Sequence, residues 1–230
     1  MYYLLFIVIL IVGFAVQTRF RNRFKKYSEM PLHSGLSGAE VAQKMLQDHE
    51  IYDVQVISVE GQLTDHYNPQ NKTINLSTDV YHGRSVAAAA VASHECGHAV
   101  QHAKAYAWLS FRSAMVPMVS VASNLLQFVL FIGVMLLAFS GNPLILAIGV
   151  GALAVVTVFS FVTLPVEFDA SQRALAWLQT NQAVMQTTEE HMQAKDALKW
   201  AAMTYVVAAL SSLAMLLQYA SLLLGGRSND

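Results

Sequence analysis

A mainly α-helical integral-membrane chain, with about four transmembrane helices and a small water-facing α+β region, is the fold class the sequence predicts. Composition comes first: of 230 residues, 55% are hydrophobic and only 13% charged, against about 25% charged in an ordinary soluble domain. Second, the apolar residues are gathered into a few long blocks rather than spread along the chain. Third, the stretch 27–112 between the first two blocks carries helix and strand patterns of a water-exposed fold. The formal net charge of -1 argues against nucleic acid as a partner. Cys96 has no second cysteine to pair with, so no intramolecular disulfide forms.

The first block is residues 2–16, an uncharged run followed by Arg19, Arg21, Arg23, Lys25 and Lys26. It lacks the basic start and small-residue cleavage site of a signal peptide. A basic flank after an apolar run orients an anchor with its N-terminus outside and the flank in the cytoplasm. The run is short for a span of about 20 residues, so Gln17-Thr18 and tilt or local thinning supply the rest.

Within the water-facing stretch, Ser37-Gly38-Ala39-Glu40 is a capping-box pattern that opens a helix to about Asp48. Val54, Val56 and Ile57 predict a strand. Gly61-Gln62 predicts a turn, Thr64–Tyr67 a second strand, and Asn68-Pro69 a second turn. Thr73-Ile74-Asn75-Leu76 alternates polar and apolar residues, which predicts a short edge strand. Ser85 can cap a long helix from Val86 to about Tyr106.

Three more apolar blocks follow, at about 115–139, 143–164 and 201–224. Only Ser140-Gly141-Asn142-Pro143, a loop with turn chemistry, separates the first two, which predicts a transmembrane hairpin. The partition expected is an anchor over 1–18, a cytoplasmic region over 19–113, the hairpin over 114–165, a second cytoplasmic helical region over 166–200, and a last transmembrane helix over 201–225. Counting spans puts the regions of His94 and Glu167 on one side of the membrane, the side richest in Lys and Arg.

The sequence His94-Glu95-Cys96-Gly97-His98 is His-Glu-x-x-His on a helical pattern. Histidines at i and i+4 lie one turn apart on one helix face, so both imidazoles reach one zinc ion. The glutamate after the first histidine is the general base of a zinc peptidase. Cys96 lies about 200° around the helix from His94 and is expected to pack rather than ligate. A catalytic zinc takes three protein ligands and keeps one open position. His102 stays on the same face, but it is about 12 Å along the axis from His94. Glu167 is favoured as the third ligand. It follows Leu164-Pro165-Val166 at the cytoplasmic end of the third span, on an expected helix from Val166 to Leu178. Asp169 is the local competitor, two residues on and facing elsewhere.

The runs His94–His102, Leu164–Ser171 and Thr64-Asp65-His66-Tyr67-Asn68-Pro69 together resemble the YugP-like neutral zinc metallopeptidases of bacterial membranes. The likeness covers nearly the whole chain, including the short anchor. It implies a zincin-like cytoplasmic region, one Zn2+ per chain held by His94, His98 and Glu167, and a location in the bacterial inner membrane. A more distant likeness is to the HtpX and CAAX prenyl proteases, which keep an aspartate four residues past the ligand glutamate. Here that place holds Ser171, so the carboxylate expected to orient a histidine ligand is missing from it.

The implied activity is an endopeptidase acting on membrane or membrane-associated proteins at the cytoplasmic surface, with the lipid bilayer as its other partner. Glu95 is the expected base. His102, Arg173, His66 and Tyr67 are candidates for contacting the substrate or the developing oxyanion. The strand Thr73–Leu76, if at an edge, would pair with an extended substrate. The alternative is a catalytically inactive zinc-binding scaffold or adaptor, against which Glu95 stands, since a structural zinc site needs no base. A transporter would place ionisable residues inside the spans, and the three long blocks hold none.

Overall fold

The structure, a computed structural model, describes residues 2–225, with side chains from Ile7 on. Met1, at the outer limit of the expected anchor, lies outside the described residues. The chain is mainly helical with one small sheet. In order come α1 (Tyr2–Ser28), α2 (Gly38–Asp48), β1 (Gln55–Val59), β2 (His66–Asn68), β3 (Thr73–Ser77), α3 (Thr78–Tyr81), α4 (Val86–Ala103), α5 (Ala107–Ser140), α6 (Leu144–Thr180) and α7 (Thr188–Gly225). Among the described residues, α5, α6 and α7 are long and apolar enough to cross a membrane.

The chain divides into two compact units. One comprises the described parts of 1–15, 111–164 and 205–230. Its apolar residues meet helix to helix, with Leu130, Leu146 and Leu153 buried in one cluster and Met115, Val119 and Val162 in another. Gly133 allows α5 and α6 to touch there, since a Cβ would lie 2.7 Å from the Leu146 backbone. Ser212 donates a hydrogen bond to Thr157 Oγ1 at 2.6 Å, tying α7 to α6.

The second unit holds residues 16–110 and 165–204. Its core gathers α2, β3, α4 and the polar ends of α6 and α7 around Val41, Met45, Ile74, Leu76, Val100 and Leu178. The capping box opens α2 as the sequence predicts. Glu40 N–H donates to Ser37 Oγ at 3.3 Å, and Ser37 N–H donates to the Glu40 carboxylate at 2.7 Å. Ser85 caps α4 by accepting from Ala88 N–H at 3.2 Å. The alanines at 87–90 keep this helix slim enough to be buried on several sides. The start of α7 is tied to the loop after α1 through the buried Glu190. Its carboxylate accepts from the N–H groups of His33, Gln186 and Thr187 at 2.8 to 2.9 Å.

The sheet corrects one expectation. Its order is β1-β3-β2, so the strand Thr73–Ser77 is central, not an edge. It pairs parallel with β1 (Gln55↔Thr73) and antiparallel with β2 (His66↔Asn75). All five of its residues are buried. The polar members of the alternation are not solvated but bonded inward. Asn75 Nδ2 donates to Thr73 Oγ1 at 3.0 Å, and the N–H and Oγ of Ser77 both donate to Asp65. The edges are β1 and β2, so an extended substrate has no free edge on β3.

The polar ends also differ from expectation in their continuity. The helix expected to begin at Val166 is the continuation of α6, which runs through Pro165 without a break. A proline inside a helix loses one backbone hydrogen bond and is tolerated where packing holds both sides. That continuity carries Val166, Glu167 and Ala170 onto α4.

The closest approach is at Gly97. A Cβ there would lie 2.5 Å from the carbonyl oxygen of Ala170 and 3.0 Å from its carbon. Both atoms are backbone, so neither yields by a rotamer change. Gly97→Ala should lower the stability of the fold by about 1–3 kcal/mol, the usual range for overpacking. Thermal unfolding in detergent measures it, and an unchanged melting temperature would contradict so close a contact.

Candidate metal centre

Helix α4 presents His94 and His98 one turn apart, with ring centroids 4.8 Å from each other and ring planes at 83°. Helix α6 delivers Glu167 opposite them. Its Oε2 lies 3.3 Å from His94 Nε2 and 3.7 Å from His98 Nε2. One ligand atom from each of the three residues falls within 4.8 Å of the others. Among the described residues, this is the group of histidine and carboxylate side chains that can hold a metal ion. Zinc with bonds of about 2.0–2.1 Å sets tetrahedral ligands about 3.3 Å apart. The donor set, two imidazoles and a carboxylate, and its spacing fit zinc.

Each histidine is held by its other ring nitrogen. His98 Nδ1 is 3.0 Å from Gln101 Oε1, and His94 Nδ1 is 3.1 Å from Ser171 Oγ. Both rings thus turn Nε2 toward Glu167. Ser171, which stands where a carboxylate was expected, does orient a histidine, with a hydroxyl in place of the charge. The His-Glu-x-x-His pattern does not single out Gln101. Its signal was its spacing: it is three residues past His98, on the same helix face.

Glu95 is buried beside this group. Burial, the dominant effect, pushes its carboxyl up to about 7. The charge of His94 opposes that rise, the nearby Glu167 and Asp65 carboxylates add to it, and a main-chain hydrogen bond from Tyr67 opposes it again. Tyr67 belongs to edge strand β2, so this strand is held against α4 by its backbone.

The other candidates fall into two places. Tyr67 Oη lies 2.7 Å from His102 Nδ1. Burial pushes the Tyr67 phenol up to about 12. His66 Nδ1 is 2.7 Å from Thr64 O on the exposed side of β2. Arg173 is engaged elsewhere: it donates to both Asp169 oxygens, at 2.6 and 3.2 Å, and lies 5.7 Å from the Tyr106 ring centroid. Asp169 also accepts from Gln101 Nε2 at 2.8 Å and stays outside the ligand group. Cys96 points away from the histidines, buried against α2 with its Sγ 3.5 Å from Ala42 O.

The sequence profile of the family described as "Putative neutral zinc metallopeptidase" matches residues 2–224. The chain belongs to this family. A Bacillus subtilis (strain 168) protein described as "Putative membrane protease YugP" is 40% identical to it over 219 residues, 95% of each chain. No solved structure matches. A zinc metallopeptidase family implies zinc and a protein substrate, and the apolar helices imply a lipid bilayer.

The Glu95 environment has a measurable consequence in the metal-free protein. Its carboxyl holds a proton in the fold up to about pH 7, but only to about pH 4.5 unfolded. The fold binds the extra proton between those values, so its stability falls as pH rises through them. Glu95→Gln removes that loss. Without metal, the variant should match wild type near pH 4 and exceed it at pH 8 by about 3 kcal/mol. Unfolding curves across this range check it; a pH-independent difference would contradict it.

Proposed function

We propose that this chain is a membrane-embedded zinc endopeptidase that hydrolyses peptide bonds of membrane or membrane-associated proteins at the cytoplasmic membrane surface. The observation that carries this is the convergence of His94, His98 and Glu167 within 4.8 Å, with the buried carboxyl of Glu95 on the same helix. The three residues hold one Zn2+ per chain. Zinc, when bound, supplies Lewis acidity that polarises the scissile carbonyl and brings the pKa of water to about 7.

The protein's own part is to orient and to move a proton. Glu95 takes the proton of the attacking water on its carboxylate and delivers it to the leaving amine. Its raised proton affinity suits a group that must both accept and release near neutral pH. Tyr67 and His102 form the better-supported substrate contact, because Tyr67 reaches Glu95 by its main chain and His102 by its hydroxyl. Arg173 is held by Asp169. His66 lies on β2 with a solvent-facing ring and is retained only as a substrate contact. Edge strand β2, rather than β3, is the strand available to an extended peptide.

The membrane arrangement follows the same reading. The first half of α1 is the fourth span, with the N-terminus outside and the basic flank in the cytoplasm. The anchor, hairpin and last helix cross the bacterial inner membrane. The regions 19–113 and 166–200 lie on the cytoplasmic side with the site.

Two variants test this. Glu95→Gln should keep zinc and lose cleavage of a membrane-protein substrate by at least ~100-fold, the usual share of general base catalysis. Unchanged cleavage would sink the endopeptidase. Glu167→Ala should lower zinc content measured by elemental analysis; full occupancy would remove Glu167 from the ligand set.

A further inference from the structure

We propose that Gln101 is a positioning residue that carries the charge of Asp169 to His98 and locks His98 in the one tautomer that offers Nε2 to zinc. This rests on the zinc site proposed above and names what determines its affinity. Gln101 is fully buried in the last turn of α4, where an apolar side chain would pack without needing partners. Its amide is instead bonded at both ends. Nε2 is 2.8 Å from Val166 O and 2.8 Å from Asp169 Oδ2, and Oε1 is 3.0 Å from His98 Nδ1.

The orientation of the amide is forced by its neighbours. Val166 O only accepts, and both Asp169 oxygens already accept from Arg173, so the amide nitrogen must face them. A flipped amide would set its oxygen against two acceptors. Oε1 therefore faces His98, and an amide oxygen only accepts, so His98 Nδ1 must be the donor. A neutral imidazole protonated at Nδ1 has its lone pair on Nε2, the atom that faces Glu167.

Asp169 is fixed in turn. Arg173 holds both its oxygens, lies over the Tyr106 ring, and Tyr106 N–H donates to Gln101 O at 2.9 Å. The chain Arg173–Asp169–Gln101–His98 is closed at both ends by α4 and α6. At its Nδ1, His94 meets the rotatable hydroxyl of Ser171. The missing carboxylate is therefore recovered from two residues past Glu167 and reaches the other histidine through an amide.

The competing account is that Gln101 only ties α4 to α6 through Val166 O. Asp169→Asn separates the two, since it removes the charge and leaves that tie in place. Zinc affinity of the full-length protein in detergent is measured by competition with a chelating dye for wild type, Asp169→Asn, Gln101→Met and the double variant. Melting of each zinc-free protein is followed in parallel. Each single variant should bind zinc about 10–100-fold more weakly, with Asp169→Asn still melting cooperatively without zinc although its pair with Arg173 is weakened. The double variant should be no weaker than Gln101→Met, because Asp169 acts only through Gln101. Asp169→Asn within about threefold of wild type, or losses that multiply in the double, would overturn the relay. If Gln101→Met does not fold, the affinity of Asp169→Asn alone decides by the same thresholds. A wild-type protein with no zinc affinity would overturn the zinc endopeptidase itself, and the relay with it.

Discussion

The contact between the backbones of α4 and α6 at Gly97 and Ala170 is the constraint on which the site depends. Glu167 is one helical turn before Ala170, and His94 and His98 flank Gly97. The carboxylate reaches both imidazoles only because the helices meet with no side chain between them. Helix α4 is surrounded accordingly. Its Cys96 side packs on α2, its Gly97 side on α6, and its histidine side looks onto Glu167. Each variable position of the His94–His98 motif thus has a packing reason for its size: a small buried thiol facing one helix and no side chain facing the other.

This packing concentrates charge. Glu95 and Glu167 are both buried within the same small volume as two histidines. Buried carboxylates are costly unless paired, and two of them near each other are costlier. A divalent cation at the point where the ligand atoms converge would offset both. The raised proton affinity of Glu95 is the same electrostatic condition seen without the cation. The group proposed as the base is destabilising to the fold, the relation expected between a functional site and its scaffold. Orientation of the two imidazoles is unequal: a rotatable hydroxyl holds one, and an amide backed by an ion pair holds the other.

Much of this was legible in the residues. The capping box at Ser37, the cap at Ser85 and the turn at Ser140–Pro143 are local chemistry, decided by atoms within a few residues of each other. The i, i+4 histidines and the outward turn of Cys96 follow from helix geometry alone. The length of the apolar blocks announced α5, α6 and α7. Where local pattern misled, a partner distant in sequence was responsible. Thr73–Ser77 alternates like an edge strand, but Asp65 and the neighbouring strands satisfy its polar groups, and it became the centre of the sheet. Pro165 looked like a boundary, yet α6 continues through it.

Sequence by itself determined the chemistry at hand: which residues can bind zinc, which can act as base, and which segments are apolar enough to cross a bilayer, because those properties reside in side chains and short-range periodicity. Only the tertiary structure decided which side chains share a site. Seventy-two residues lie between His94 and Glu167, and no spacing rule spans them. The same holds for Gln101 and Ser171, which became partners of the histidines through the crossing of two helices. That crossing is set by the volume at Gly97, a quantity that has no meaning until α6 lies against it.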